Sequence, residues 1–156
     1  MATATGAAHD FDVGMGSENL VIGGLSGLLA GGVFGGIMSH TPMMENVAAL
    51  FTVDAVAAGW ILHFGISIAF GVLFAAIVAF GPLPEFARRA STGAAIGIGY
   101  GIVVWLLGAA ILMPLWMGAV APVDPPVPSF NWMSFAGHIA FGAVLGAIYP
   151  VLLANN

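Results

Sequence analysis

The stretch WILHFGISIAFGVLFAAI, residues 60–77, decides the fold, because it is apolar enough to cross a bilayer and yet carries a histidine. His63 is followed at four-residue intervals by Ser67 and Gly71, and a helix would place all three on one face. The pattern returns near the C-terminus as HIAFGAVLGAIYP, where two glycines follow His138 at the same spacing. The pattern therefore predicts, in each half of the chain, a helix with one histidine followed on the same face by a row of small residues.

The composition places these helices in a membrane. Hydrophobic residues make up 60% of the 156 residues, charged residues only 6%, and the mean hydropathy is +1.06, whereas roughly a quarter of the residues in a soluble domain are charged. A helix needs about 20 mainly apolar residues to cross the hydrocarbon. We predict an all-α fold, a polytopic membrane four-helix bundle over residues 18–156 that follows a polar N-terminal tail over residues 1–17. The predicted spans are residues 19–38, 55–80, 91–113 and 133–153.

Glycines at four-residue spacing mark the faces through which these helices are expected to pack. In lipid, such stripes let two backbones approach closely, so that dispersion and weak hydrogen bonds hold them together. The first and third spans carry glycine stripes and the second and fourth carry the histidines, which predicts a weak 2+2 internal repeat of helix hairpins. The residues predicted to pack helices are Gly23, Gly27, Gly31, Gly35, Ser67, Gly71, Gly97, Gly101, Gly142 and Gly146.

What the sequence lacks excludes several classes of function. Without cysteine there is no disulfide, thiolate metal site or iron–sulfur cluster. A net charge of −5 with only 2 basic residues argues against a nucleic-acid partner. The P-loop, HExxH and GxSxG motifs do not occur, and the predicted spans contain no acidic residue. We therefore predict that the protein is not an enzyme.

The two arginines, Arg88 and Arg89, predict the orientation. Basic residues near the ends of spans lie mostly on the cytoplasmic side, so the linker that holds both is expected there. Four spans then place the N- and C-termini in the cytoplasm as well. We expect a multi-pass protein of the cell membrane, surrounded by lipid and in contact with other membrane-protein subunits.

Two histidines inside the predicted spans are the main candidate functional residues. His63 and His138 lie at roughly matched depth below the same end of the bundle, and histidines on facing helices of a bundle hold a b-type haem by its axial positions. The small residues one and two turns further along each helix would leave room for the flat macrocycle. Haem b is therefore a predicted cofactor, with His63 and His138 as its ligands.

Three other interpretations stay open at this point. Imidazole and thioether groups suit Cu(I), which makes His40, Met38 and Met113 a candidate copper site. Ionisable groups inside a membrane also mark proton or solute paths, and histidine titrates near neutrality. Finally, a histidine close to the membrane interface also serves as a hydrogen-bonding group between helices, with no ligand at all.

Further markers on the second, third and fourth spans carry a family resemblance. They are Gly59 and Trp60 with His63, Met113 with Pro114, and His138 with Gly142 and Gly146. With these markers, nearly all of the chain beyond the tail resembles a family of small four-helix membrane proteins widespread in haloarchaea. The acidic, lysine-free composition agrees with such a source. The resemblance implies a fold and no activity, and 156 largely apolar residues leave no room for the ATP-binding domain of the histidine kinases that some members are labelled as.

Small size, the lack of catalytic groups and the many glycine faces together predict a small non-catalytic subunit of a larger membrane complex of respiratory or other redox machinery. A b-type haem-binding electron carrier and a small-solute channel or transporter are the alternatives. A bound chromophore distinguishes the carrier, a continuous polar cavity the transporter, and an extensive protein interface at lipid depth the subunit.

Overall fold

The computed structural model describes residues 16–80 and 89–155, and within these ranges the chain forms helices and loops but no strand. The helices are α1 (Ser17–Met38), α2 (Met43–Ala49), α3 (Val56–Phe80), α4 (Ala90–Val104), α5 (Met113–Val120) and α6 (Trp132–Ala154), with a π-helical segment (Trp105–Leu112) between α4 and α5. Most of the predicted N-terminal tail lies outside the described residues, as does Arg88.

Among the described residues, four helices are long and apolar enough to cross a membrane, which confirms the prediction of an all-α chain with four long apolar helices. They are Ser17–Met38, Val56–Phe80, Ala90–Val120 and Trp132–Ala154. The third is longer than predicted, because α4, the π-helical segment and α5 form one continuous helix that does not end at Met113. We call it the α4–α5 helix. Large apolar side chains are exposed on all four helices, as in a bundle whose solvent is lipid.

The π-helical segment has a physical cause in Pro114. Proline has no N–H to donate to the carbonyl four residues earlier, and its ring collides with that carbonyl in an α-helix. Here that carbonyl belongs to Ala110, inside the π-helical segment, and the backbone N–H of Ser129 donates to it at 2.8 Å. The helix therefore changes its winding ahead of the proline instead of stopping. The returning loop supplies the missing donor.

The α1–α3 hairpin is antiparallel and packs through its small residues. Gly27 lies against the Ser67 carbonyl, and a Cβ on Gly27 would come within 2.8 Å of the Gly71 Cα. Gly71 lies in turn against the Gly23 carbonyl, while Gly31 packs on the Ser67 side chain. The two backbones therefore touch directly along this stripe, as GxxxG-type faces do in lipid.

The α4–α6 hairpin is antiparallel and uses the same device. Gly97 lies against the Gly142 carbonyl, and Gly101 against the His138 carbonyl. Gly146 carries the carbonyl that Pro150 leaves without an intrahelical donor, and this carbonyl lies against Gly93. Such close approach permits Cα–H···O contacts between the helices. Of the ten residues predicted to pack helices, eight lie at these backbone contacts. The other two lie against side chains of α3: Gly31 against Ser67, and Gly35 against Trp60 and His63.

The two hairpins meet mainly through α1 and α6. Phe34 of α1 lies over Gly137 of α6, and Phe74 of α3 meets Tyr149 of α6 edge to face at 5.8 Å. The spatial order is therefore α3, α1, α6, α4, with α2 packed on α3. Helices α3 and α4 do not pack along their length, and a cavity lies on that side of the bundle.

Candidate functional site

A cavity of about 690 Å³ lies between the two hairpins, and we call it the inter-hairpin cavity. Side chains of every described helix line it, and most of them are apolar. Its rim carries side chains that are also exposed on the outside of the bundle, among them Phe51, Ile66 and Leu112. The polar groups among the described lining residues are Asn46, His63, Ser67, Trp116, Ser129, Asn131, Ser134 and His138.

Two hydrogen bonds join the hairpins across the open side. At one end of the cavity, the Trp116 indole N–H donates to the Leu50 carbonyl at 2.7 Å. At the other end, the Tyr100 hydroxyl donates to the Phe70 carbonyl, also at 2.7 Å. The α4–α5 helix is thus tied to the α2–α3 side at both ends of the cavity.

His63 enters the cavity from α3 and is only 6% exposed. Its Nε2 lies 2.9 Å from the Gly31 carbonyl of α1. A carbonyl only accepts hydrogen bonds, so Nε2 carries the proton and donates it. Neutral imidazole has one N–H, which makes Nδ1 an acceptor, and no partner for Nδ1 is found among the described residues.

His138 enters from α6 and is half-buried. Its Nδ1 lies 2.7 Å from the Ser134 carbonyl one turn earlier, so Nδ1 carries the proton and donates it. Nε2 is then the acceptor, and it likewise has no partner within the described part of the chain. Ser134 itself is held by the start of α6, because its backbone N–H donates to the Asn131 side chain at 2.9 Å.

Phe34 of α1 lies between the two imidazoles. Its ring meets His63 edge to face with a centroid separation of 5.4 Å, and it meets His138 at 4.8 Å. Aromatic pairs of this geometry hold each other in place. The two histidines therefore lie close together, packed against the same phenyl ring.

This geometry bears on the predicted haem site. Axial ligation takes a free nitrogen from each histidine on opposite faces of the macrocycle, whereas Nε2 of His63 is bonded to Gly31 and Phe34 lies between the rings. The room expected below each histidine is taken by neighbouring helix backbones at Ser67 and Gly142. Haem ligation by His63 and His138 stays a prediction, and in this arrangement it requires both the bond and the phenyl ring to move.

The candidate copper residues are only partly brought together. Met38 and Met113 both line the cavity, whereas His40 is exposed at the end of α1 and does not. Among the described residues, no three histidine, aspartate or glutamate side chains come close enough to hold a metal ion. Copper binding by this set stays a prediction.

Phe34, Tyr100 and Trp116 shape the site and were not singled out from the sequence. Phe34 sits within a glycine-rich helix without any periodic signal of its own. The signal for the other two is chemical, because a Tyr or Trp at an apolar site usually finds a partner for its polar atom. Tyr100 and Trp116 do so across the gap between the hairpins.

No family model, no curated protein and no solved structure matches this chain. The resemblance to the haloarchaeal family accordingly rests on the sequence markers alone. The function is argued from the geometry of the cavity.

Proposed function

We propose that this is a non-catalytic, multi-pass membrane protein that binds a small, mainly apolar molecule in the inter-hairpin cavity, with His63 and His138 at the polar end of the site. The observation that carries the proposal is that both histidines of the predicted spans line one cavity of about 690 Å³. Ligand sites usually measure about 300–1,000 Å³ and combine an apolar lining with a few convergent polar groups.

The lining favours binding over conduction or catalysis. Among the described lining residues there is no Asp, Glu, Lys or Arg. A solute path needs polar groups along its length, whereas beyond Tyr100 and Phe70 the bundle is closed by glycine packing and by buried apolar side chains such as Phe74. A neutral, apolar lining suits a molecule that already dissolves in the bilayer.

The predicted 2+2 repeat is part of the proposal. In both hairpins, glycines on the first helix pack against small residues that follow the histidine on the second. Gly27 against the Ser67 carbonyl and Gly97 against the Gly142 carbonyl are matching contacts, each four residues after the histidine. The repeat breaks between the hairpins, because α1 packs on α6 while the corresponding helices, α4 and α3, stand apart. The cavity occupies the place of that missing contact.

Two glycines of the α4–α5 helix provide the test. Gly108 lines the cavity and Gly99 does not, and a Cβ on either would meet no atom within 4 Å. Phe at position 108 would fill the cavity, while Phe at position 99 would change the same helix outside it. Both substitutions gain helix propensity relative to glycine.

The full-length protein and these two variants are purified from native membranes, extracted with organic solvent and compared by mass spectrometry. We expect one apolar compound at near-stoichiometric amount in the wild type and in Gly99→Phe, and its loss from Gly108→Phe. No bound compound in the wild type, or equal amounts in all three proteins, would overturn the proposal.

A second candidate, the small subunit of a larger respiratory or redox complex, is favoured by one observation. Gly32 and Gly36 lie on the exposed side of α1, four residues apart, with no atom within 4 Å of a Cβ at either. Such a smooth face is typical of helix pairing in lipid. If it holds a partner subunit, Gly36→Leu reduces the size of the complex extracted from native membranes, whereas Gly65→Leu on α3, where a Cβ also meets nothing, leaves it unchanged.

The orientation belongs to the same proposal. Arg89, which precedes α4, is the described residue of the basic pair, and it supports a cytoplasmic position for the linker and hence for both termini. Accessibility of a single introduced cysteine at Asn155 in intact cells tests it, because a cytoplasmic C-terminus is protected from a membrane-impermeant thiol reagent.

A further inference from the structure

The hydrogen bonds of the two histidines restrict what the cavity binds. His63 donates its only N–H to the Gly31 carbonyl, and His138 donates its only N–H to the Ser134 carbonyl. The nitrogens left over, Nδ1 of His63 and Nε2 of His138, both carry lone pairs. The cavity therefore offers two hydrogen-bond acceptors on its imidazoles and no imidazole donor.

The absence of charged side chains among the described lining residues further restricts the chemical class of the ligand. An ammonium group would satisfy two acceptors, but a buried cation needs a counter-charge, and no described lining residue carries a carboxylate. A carbonyl group or an ether offers only acceptors and would leave both nitrogens unpaired. A neutral hydroxyl on an apolar body fits, because it brings a donor without a charge.

We infer that the inter-hairpin cavity binds an apolar molecule bearing hydroxyl groups, and that these donate to Nδ1 of His63 and Nε2 of His138. The inference rests on the proposed function and adds the chemical class of the ligand. Phe34, which lies between the two imidazoles, gives the polar end of the site an apolar wall. The hydroxyls belong to a reduced quinone-type ring or to a long-chain alcohol, and both kinds of molecule dissolve in a bilayer.

Each histidine has a matched substitution that keeps its structural bond. In His63→Gln, the side-chain amide places an N–H near the Nε2 position, where it still donates to the Gly31 carbonyl, and nothing replaces Nδ1. In His138→Asn, the amide N–H falls near the Nδ1 position and still reaches the Ser134 carbonyl, and nothing replaces Nε2. Both variants are therefore expected to fold and to lose one acceptor each.

The probes are tetramethylhydroquinone, its monomethyl ether and its dimethyl ether, kept reduced under anaerobic conditions. They share one ring and differ in the number of hydroxyl hydrogens. Binding to the full-length protein in lipid nanodiscs is measured by equilibrium dialysis. Since one neutral hydrogen bond changes a dissociation constant by about fivefold, we expect affinity to fall about fivefold with each methyl group. The affinities of farnesol and its methyl ether are measured in the same way. Tighter binding of farnesol than of its ether would show that a long-chain alcohol also binds through its hydroxyl.

The variants separate the contributions of the two nitrogens. We expect His63→Gln and His138→Asn each to weaken tetramethylhydroquinone about fivefold and to leave the dimethyl ether unchanged. Equal affinity for all three ring compounds, abolished by Gly108→Phe, would overturn hydroxyl recognition while leaving the binding function intact. No binding of any probe, together with no co-purifying compound, would overturn both. Stoichiometric copper or zinc that both histidine variants lose would replace the hydroxyl ligand by a metal ion and also overturn the inference.

Discussion

Gly97→Ala is expected to push α4 away from α6. A Cβ at position 97 would overlap the Gly142 carbonyl oxygen and lie 2.9 Å from the Gly142 carbonyl carbon and 3.0 Å from the Gly146 nitrogen. Ordinary contacts of a Cβ begin at 3.4 Å. All three neighbouring atoms belong to backbone, so no side chain can rotate out of the way and the helices themselves must separate.

The size of the effect follows from that separation. A gap of about 0.5–1 Å removes a quarter to a half of each dispersion contact, and each atom pair contributes about 0.1–0.2 kcal/mol. Spread along a glycine-packed interface this amounts to roughly 1–3 kcal/mol, the usual cost of overpacking. Alanine also favours the helix over glycine by up to about 1 kcal/mol, which offsets part of it. We expect Gly97→Ala to destabilise the fold by about 1–2 kcal/mol net.

Gly99→Ala is the matched control, because it lies on the same helix and its Cβ meets nothing within 4 Å. It keeps the gain in helix propensity and should stabilise the fold by up to about 1 kcal/mol. The free energy of unfolding is measured for both variants by reversible SDS titration in mixed micelles, followed by circular dichroism. If Gly97→Ala proves as stable as Gly99→Ala, the close backbone contact between α4 and α6 is wrong.

Three further substitutions test polar groups by the same titration. Tyr100→Phe removes the bond to the Phe70 carbonyl and should cost about 0.5–1.5 kcal/mol; no loss of stability would show that the bond does not form. Asn131→Ala removes the side chain that caps α6 through the Ser134 N–H and should cost about 0.5–2 kcal/mol, and an unchanged free energy of unfolding would contradict the cap. Tyr149→Phe should stabilise the fold by about 1 kcal/mol or more, since its hydroxyl is fully buried and has no hydrogen-bond partner among the described residues; a destabilised variant would point to a partner for that hydroxyl.

The helices and their packing faces could be predicted from the sequence because both depend on local spacing. Glycines at four-residue spacing, such as Gly23, Gly27 and Gly31, lie on one face of a helix and let another helix approach closely. The length of each apolar run predicts the spans. The third span was predicted to end at residue 113, just before Pro114. The sequence does not show that the loop brings the backbone N–H of Ser129 to the Ala110 carbonyl, which lets the helix continue.

The cavity could not be predicted, because it depends on how two hairpins sit against each other. Nothing in the local pattern of α3 or α4 says that these helices fail to pack. The histidines were found from their rarity inside apolar segments. The bonds to the Gly31 and Ser134 carbonyls, which decide their chemistry, depend on side-chain rotamers and on a neighbouring helix.

The rim of the inter-hairpin cavity has a consequence for how a ligand arrives. Ile66 and Leu112 belong to helices long and apolar enough to span a membrane, so in a bilayer the opening between them faces acyl chains instead of water. If the cavity binds the proposed apolar ligand, that ligand reaches the site by lateral diffusion within the leaflet, and its mole fraction among the lipids sets the occupancy. Lipid tails and detergent tails would compete with the ligand for the cavity. Two detergents of different chain length are therefore expected to give different apparent affinities of the protein for the same ligand.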